Sequence, residues 1–198
     1  MIKLIVDTTC EIFPEEAKSL GIISLPMKLI FDQTIYTPGV DLSNKEFYKK
    51  LSECKELPHT SQLNMFDYTL AIKPLIDEGH DVFVMCISDK LSGSFNSLEQ
   101  AKNDLKSDKV EILNTKTITF AYQSLVFEAI KLIKQGVTLK ELKEKMLDLT
   151  KRVEMLAIVD NVSYLIKGGR LSATLGFLVK TLHIKPIVRV VEGELKVV

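Results

Sequence analysis

Short apolar runs alternate along this chain with longer segments in which apolar residues recur every three or four positions. The runs predict buried strands, and the recurrence in the longer segments predicts helices. The clearest runs are "MIKLIV", "HDVFVMCIS" and "KVEILN", and the clearest helical segments are "LSNKEFYKKLSE", "FAYQSLVFEAIKLIKQG" and "TLKELKEKMLDLTKRV". Because strand and helix follow one another, we expect a parallel sheet that is covered by helices on both faces.

Prolines, glycines and a capping pair mark where several helices begin and end. Pro14 opens the segment "PEEAKSLG" and Gly21 closes it, which matches the preference for proline at the first helical position and glycine just past the last. Ser43 and Glu46 have the spacing of a capping box. Pro74 lies inside "MFDYTLAIKPLIDEG", where its missing N–H predicts a kink or an early end.

The domain organisation follows from two further segments. The stretch at about residues 22–40 is rich in β-branched and aromatic residues around "FDQT", which predicts a hairpin inserted into the first domain. After residues 1–152, a strand "EMLAIVD", a helix "ATLGFLVKTLH" and a hairpin with its turn at "EG" begin a second unit, residues 153–198. The fold class is therefore α/β, with a parallel-sheet N-terminal domain and an incomplete second α/β (α+β) domain, which alone would bury little core.

Composition excludes several classes of protein. Lysine plus arginine equals aspartate plus glutamate, 26 each, so no basic excess indicates nucleic-acid binding. The three cysteines form no CxxC pair, which predicts neither a disulfide framework nor a zinc site and favours a reduced, cytoplasmic setting. No apolar run reaches the length of a transmembrane helix, so a contact with a membrane is expected to be transient and to use a pocket or a surface.

Four serines and one glycine lie in the serine corner (residues 88–97, "SDKLSGSFNS"), directly after a predicted strand. Open α/β sheets place ligands at such strand ends. Ser92 is a natural helix N-cap, and Gly93 lets a ligand approach the backbone; the free N–H groups there could also hold a carboxylate or a phosphate. A nucleophilic serine is disfavoured, because the G-x-S-x-G pattern is absent and neither His80 nor His183 has a spacing that indicates a base.

Three other short motifs allow either a structural or a functional interpretation. The polar stretch "HTSQ" is predicted to be a loop between two helices, and its Thr60 and Ser61 could cap the next helix or bind a ligand. Asp7 could cap a turn or orient nearby donors. Arg170 of "KGGR" could follow a helix C-cap on the surface or turn inward to an anion. Hydroxyls and amides with few charges suit a single carboxylate. The apolar segments "FAYQSLVFEAI" and "ATLGFLVKTLHI" could line a slot for its tail or form plain core.

The chain resembles the bacterial DegV family. The resemblance rests on five motifs in order, "VDTTCEI", "LPHTSQLN", "SDKLSGSFNSLEQA", "YLIKGGRLS" and "IKPIVRVVEGEL", which span almost the entire sequence. It implies a protein that binds a long-chain fatty acid between two α/β lobes, without catalytic residues, metal or cofactor of its own. It also implies that the chain presents this fatty acid to a separate fatty acid kinase subunit for acyl-phosphate formation; a homodimer is a further expectation.

In this family resemblance, Thr60 and Ser92 hydrogen-bond the carboxylate, and the expected head-group neighbours are Ser61, Gly93, Ser94 and Arg170. The start "DTTCEI" replaces the usual "DSxxDL", the flanks of "TSQ" are histidine and leucine instead of proline, and "LSGS" replaces "LSGT". None of these differences removes a hydroxyl at an expected contact.

Length is the larger departure, because family members continue well past Val198. The second domain is therefore expected to be truncated, and two alternatives stay open. The first is a truncated paralogue that acts as an interaction protein without lipid, and the second is a serine acyl hydrolase that uses Ser92.

Overall fold

The computed structural model describes residues 1–54, 56–172 and 185–198. The strands of these residues are β1 (Ile2–Asp7), β2 (Ile23–Leu25), β3 (Lys28–Phe31), β4 (Thr34–Tyr36), β5 (His59–Ser61), β6 (Asp81–Cys86), β7 (Val110–Asn114), β8 (Leu156–Ile158), β9 (Ile187–Val191) and β10 (Glu194–Val197). The helices are α1 (Pro14–Leu20), α2 (Asn44–Glu53), α3 (Met65–Asp77), α4 (Ser94–Leu105), α5 (Thr119–Lys134), α6 (Leu139–Thr150) and α7 (Ser163–Lys167).

The main sheet is parallel throughout and has the strand order β2-β1-β6-β7. Its central strand β6 sends alternate side chains into two cores, since successive residues of a strand face opposite sides. Phe83 and Met85 pack in the core beneath α5 and α6, whereas Val82 and Val84 pack in the core beneath α3 and α4. The predicted parallel α/β architecture is confirmed, and it places the ends of β1 and β6 at one edge.

The predicted hairpin is narrower than its sequence pattern, and it belongs to a small sheet of three strands. After β1 the chain passes through a 3-10 turn (Thr8–Cys10) and α1 and then returns alongside β1. Residues 23–25 therefore pair in parallel with β1 and belong to the main sheet. Only β3 and β4 form the hairpin. The motif "HTSQ" is not a loop, because β5 pairs antiparallel with β3.

Most predicted helix ends are confirmed. Pro14 is the first residue of α1, and Gly21 caps its end with a φ of 72°. The side chains of Ser43 and Glu46 form the capping box of α2. An end of α3 at Pro74 is wrong, since the helix continues for another three residues, to Asp77. None of the helices in the described ranges combines the length and apolar character needed to cross a bilayer.

Residues 153–198, the predicted second unit, contain an antiparallel sheet of order β10-β9-β8, with α7 beside it. The predicted hairpin with its turn at "EG" is confirmed, and a small core forms around Val162 and Leu171. The predicted helix at residues 173–183 lies outside the described residues. The turn of the hairpin reaches the first unit, where the Ser88 hydroxyl donates to the carbonyl oxygen of Gly193 at 2.8 Å.

Candidate functional site

The serine corner leads from the end of β6 into α4, and its four serines are buried, whereas Lys90 and Asn96 are exposed. The N-cap of α4 is Gly93, so the prediction that Ser92 is the N-cap differs from the structure by one residue. Ser92 is 9% exposed, and its Oγ accepts a hydrogen bond from the backbone N–H of Ser94 at 3.2 Å. The two hydroxyl oxygens of Ser92 and Ser94 are 2.9 Å apart. Ser92 therefore stabilises the start of the helix while it lies at the partly positive helix N-terminus.

The Thr60 segment (residues 59–63) lies directly against the serine corner. The backbone N–H of Leu63 donates to Ser94 Oγ at 3.2 Å, and Gln62 Nε2 donates to Ser97 Oγ at 3.4 Å. The Gln62 side chain packs over Gly93 so closely that a Cβ at this position would lie 2.8 Å from Gln62 Cδ. Thr60 itself is exposed. The structure thus brings together the two segments that carry the predicted carboxylate contacts.

Arg170 also reaches the serine corner. Its Nε donates to the backbone oxygen of Leu91 at 3.1 Å, and a second guanidinium nitrogen donates to the oxygen of Gly168. Gly168 is the C-cap of α7 and Gly169 follows with a φ of 74°. The glycines therefore end a helix, as the structural interpretation of "KGGR" predicts, and the exposed Arg170 contacts the serine corner through Leu91. The contact of Arg170 with an anion stays a prediction. Two of the five guanidinium N–H groups are used for these two bonds.

Asp7 is buried at the end of β1 and hydrogen-bonds the residue that follows β6. Its carboxylate accepts from the N–H groups of Thr9 and Ile87, both at 3.0 Å, so it caps a turn and orients a loop donor at once. Burial raises the pKa of Asp7, and the hydrogen bonds from Thr9 and Ile87 oppose that rise. Close by, the hydroxyl of Tyr122 donates to the backbone oxygen of Met85 at 2.6 Å.

Three residues of the site were missed at the sequence level. In the sequence, Gln62 is one of several polar residues, and no neighbouring residue indicates that its side chain packs over Gly93. Tyr68 is 1% exposed, and its hydroxyl lies 3.3 Å from Cys86 Sγ beneath the corner. Burial raises the pKa of both Tyr68 and Cys86. The helical pattern of α3 does not show which polar group the Tyr68 hydroxyl meets, because that group lies on the neighbouring strand β6.

Two cavities of the described structure have mainly apolar linings. One, of about 360 Å³, lies beside Thr60 and is walled by Phe47 and Leu51 of α2. The other, of about 300 Å³, lies where Phe120 at the start of α5 faces Leu156 of β8. Most of the apolar face of α5 belongs to the main core, so only its first turn is placed to line a slot.

Acid–base and metal-binding groups are sparse around the serine corner. Within the described residues, both hydrogen bonds of the Ser92 hydroxyl are with Ser94, which cannot act as a base. His80 lies 3.6 Å from Glu78 in a turn, and His183 lies outside the described residues. The described ranges contain no group of three or more histidine, cysteine, aspartate or glutamate residues that could hold a metal ion.

Comparison with known proteins decides the family. The DegV family model, described as "Uncharacterised protein, DegV family", matches residues 1–198. The chain belongs to the DegV family. A DegV domain-containing protein from Clostridium perfringens is 28% identical over 196 residues, which are 99% of this chain and 70% of that protein.

Solved structures of the DegV family share the fold. The structure described as fatty acid binding of a DegV family protein from Thermus thermophilus has a TM-score of 0.89 at 25% identity, over 100% of this chain and 70% of that one. The Streptococcus pneumoniae fatty acid kinase B3 protein, loaded with linoleic acid, has a TM-score of 0.87 at 23% identity, over 100% and 72%. This second likeness shows the fold alone.

Proposed function

We propose that this chain binds a long-chain fatty acid and has no catalytic machinery of its own. The hydroxyls of Thr60 and Ser92 donate to the carboxylate, and Ser61, Gly93, Ser94 and Arg170 surround the head group. The acyl tail lies in an apolar slot. The observation that carries this proposal is the convergence of the Thr60 segment, the serine corner and Arg170 on one edge of the main sheet.

The electrostatics of this edge favour an anion with a single charge. Ser92 lies at the N-terminus of a helix of 12 residues, where the partial positive charge stabilises a carboxylate. Arg170 adds a full positive charge, and its side chain is already held in place by Leu91. A hydroxyl that donates to an ionised group forms a stronger hydrogen bond than one between neutral groups.

The cavity between α5 and β8 is a candidate for the tail. Phe120 is 72% exposed and Leu156 is 60% exposed, so an acyl chain laid there would cover apolar surface that water now contacts. Phe120→Asp is expected to weaken fatty-acid binding with little loss of stability. Phe127→Asp, at a position that is 43% exposed on the same helix, is the matched control and should bind normally.

Mass spectrometry tests the head-group assignment. Native protein purified from bacteria should carry a long-chain acid, and Thr60→Ala combined with Ser92→Ala should lose it. Each single change is expected to weaken binding about tenfold or more, since a hydrogen bond to a charged group contributes roughly 1.5–3 kcal/mol. Thr34→Ala, an exposed threonine on β4 of the same small sheet, is the control. Unchanged retention of the acid by the double variant would reject these two contacts.

The partner of this carrier is proposed to be a fatty acid kinase subunit. The support is the family resemblance and the fold shared with the kinase B3 protein of Streptococcus pneumoniae. Adding the purified chain to a fatty acid kinase subunit with ATP should yield acyl phosphate, and the Thr60 and Ser92 variants should not support the reaction. The transient membrane contact and the homodimer stay predictions.

We also propose that residues 1–152 and residues 153–198 form two domains. The support for this division is that no sheet of the described residues includes strands from both ranges. Strands β1 to β7 form the parallel main sheet and the small antiparallel sheet, and β8 to β10 form a third sheet. Limited proteolysis should cut first near residue 153 if the division is correct.

A serine acyl hydrolase is the weaker alternative. Ser92 has the strand-to-helix position of a nucleophile, but its hydrogen-bond partner in the described structure is another serine instead of a base. Labelling of Ser92 by a fluorophosphonate would favour this alternative over the carrier.

A further inference from the structure

Ser94 has an unusual set of contacts for a residue that merely begins a helix. It is fully buried, and its Oγ accepts the N–H of Leu63 at 3.2 Å. Its own proton has the Ser92 oxygen at 2.9 Å and the sulfur of Met27 at 3.7 Å as acceptors, and the Tyr68 phenol is a further neighbour. The position of this one proton decides which way the hydroxyl of Ser92 points.

A hydroxyl has two lone pairs and one proton. One lone pair of Ser92 already accepts the backbone N–H of Ser94. If the Ser94 hydroxyl donates to Ser92, the second lone pair is filled as well. Ser92 is then left with a proton and no free acceptor, so it can contact a ligand only as a donor.

The neighbours of Ser94 favour this direction once an anion is bound. The sulfur of Met27 is a weak acceptor, and the Tyr68 phenol can donate as readily as it accepts. A carboxylate offers acceptors only, so it draws the proton of Ser92 outward and leaves the Ser92 oxygen to accept from Ser94. Hydrogen bonds that point the same way along a chain strengthen one another.

We propose that Ser94 is a positioning residue that holds Ser92 as a hydrogen-bond donor and thereby selects a carboxylate head group over a head group that must donate. This inference rests on the proposed function and adds to it the residue that sets head-group selectivity. An alcohol can accept from Ser92, but its own proton finds no free lone pair there. Ser94 does not touch the ligand in this role.

The test compares a long-chain fatty acid with the primary alcohol of the same chain length, at a pH where the acid is ionised. Affinities are measured by displacement of a fluorescent fatty-acid analogue from the delipidated full chain. Ser94→Ala should lower the affinity for the acid about fivefold and leave that for the alcohol nearly unchanged, because one link of a charge-assisted chain is lost. Ser94→Thr keeps the hydroxyl and should restore the selectivity of the parent protein.

Two further variants separate selectivity from folding. Ser97→Ala removes another buried hydroxyl from the same helix, which accepts from Gln62, and the ratio of acid to alcohol affinity should not change. If Ser94→Ala fails to fold, Ser94→Cys keeps the volume with a weak donor and should show the same fall in the ratio.

An unchanged ratio in the folded Ser94 variants would overturn the role of Ser94 and leave the proposed function intact. A parent protein that binds no fatty acid would overturn both.

Discussion

Replacing Gly93 with alanine tests whether the Thr60 segment rests against the serine corner. The backbone at this position has φ −72° and ψ 0°, which alanine adopts without strain. The obstacle is the Gln62 side chain, whose Cδ would lie 2.8 Å from the new Cβ. Because this is the far end of a flexible side chain, Gln62 should move and the backbone of α4 should stay.

The expected change in stability is small because its parts oppose each other. Moving Gln62 breaks its long hydrogen bond to Ser97, which contributes about 0.5–1 kcal/mol. It also pushes the Gln62 side chain away from its preferred rotamer, which costs roughly 0.5–1.5 kcal/mol. Replacing glycine by alanine stabilises by about 0.4–1 kcal/mol through the unfolded chain. The free energy of unfolding should therefore fall by about 0–2 kcal/mol.

A double-mutant cycle with Gln62→Ala isolates the contact. Once Gln62 is shortened, Gly93→Ala should be neutral or slightly stabilising, so urea unfolding should give a coupling free energy of about 1–2.5 kcal/mol. Fatty-acid affinity should fall in Gly93→Ala, because the displaced side chain disturbs the segment that carries Thr60. Additive free energies in this cycle would refute the packing of Gln62 over Gly93.

Three further outcomes follow from buried polar groups. Tyr122→Phe should lower stability by about 1–3 kcal/mol in urea unfolding, because two buried backbone groups lose their partner, whereas Tyr48→Phe on the surface should have little effect. Burial raises the pKa of Asp7 above its ordinary 3.8, so the folded state keeps a proton that the unfolded state releases. The stability contributed by Asp7 should therefore fall as the pH rises from the unfolded-state pKa to the folded-state pKa. A titration in which this contribution rises would contradict the direction of the shift. Burial raises the pKa of Cys10 to about 12, so iodoacetamide should modify the half-buried Cys54 before Cys10 in the native protein. Early modification of Cys10 would show that the structure around it opens.

Much of the fold could be predicted because its signals are local. A capping box needs two side chains three residues apart, and the turn at "EG" needs only the geometry of its own residues. Continuous apolar strands predicted a sheet that is buried on both faces. The structure confirms this, because the side chains of β6 point into two different cores. The serine corner was found for the same reason, since a strand end that runs into hydroxyls is visible along the chain.

Strand pairing outside these signals could not be predicted. The residues of β2 have the same β-branched composition as the hairpin that follows, and their partner is β1 instead of β3. The residues of β5 are polar and read as a loop, yet they complete the small sheet. In both cases the partner strand decides the pairing, and composition carries no information about which partner is close.

Local sequence patterns are enough to predict most of the described helices, the parallel sheet and the individual hydroxyl-bearing residues. Whether these residues meet depends on how the chain packs in three dimensions. The hydrogen bonds that join them connect residues 31, 35 and 79 positions apart, from Leu63 to Ser94, from Gln62 to Ser97 and from Arg170 to Leu91. The physical reason is that side-chain hydrogen bonds act over about 3 Å, so their partners are fixed by how the strands and helices pack.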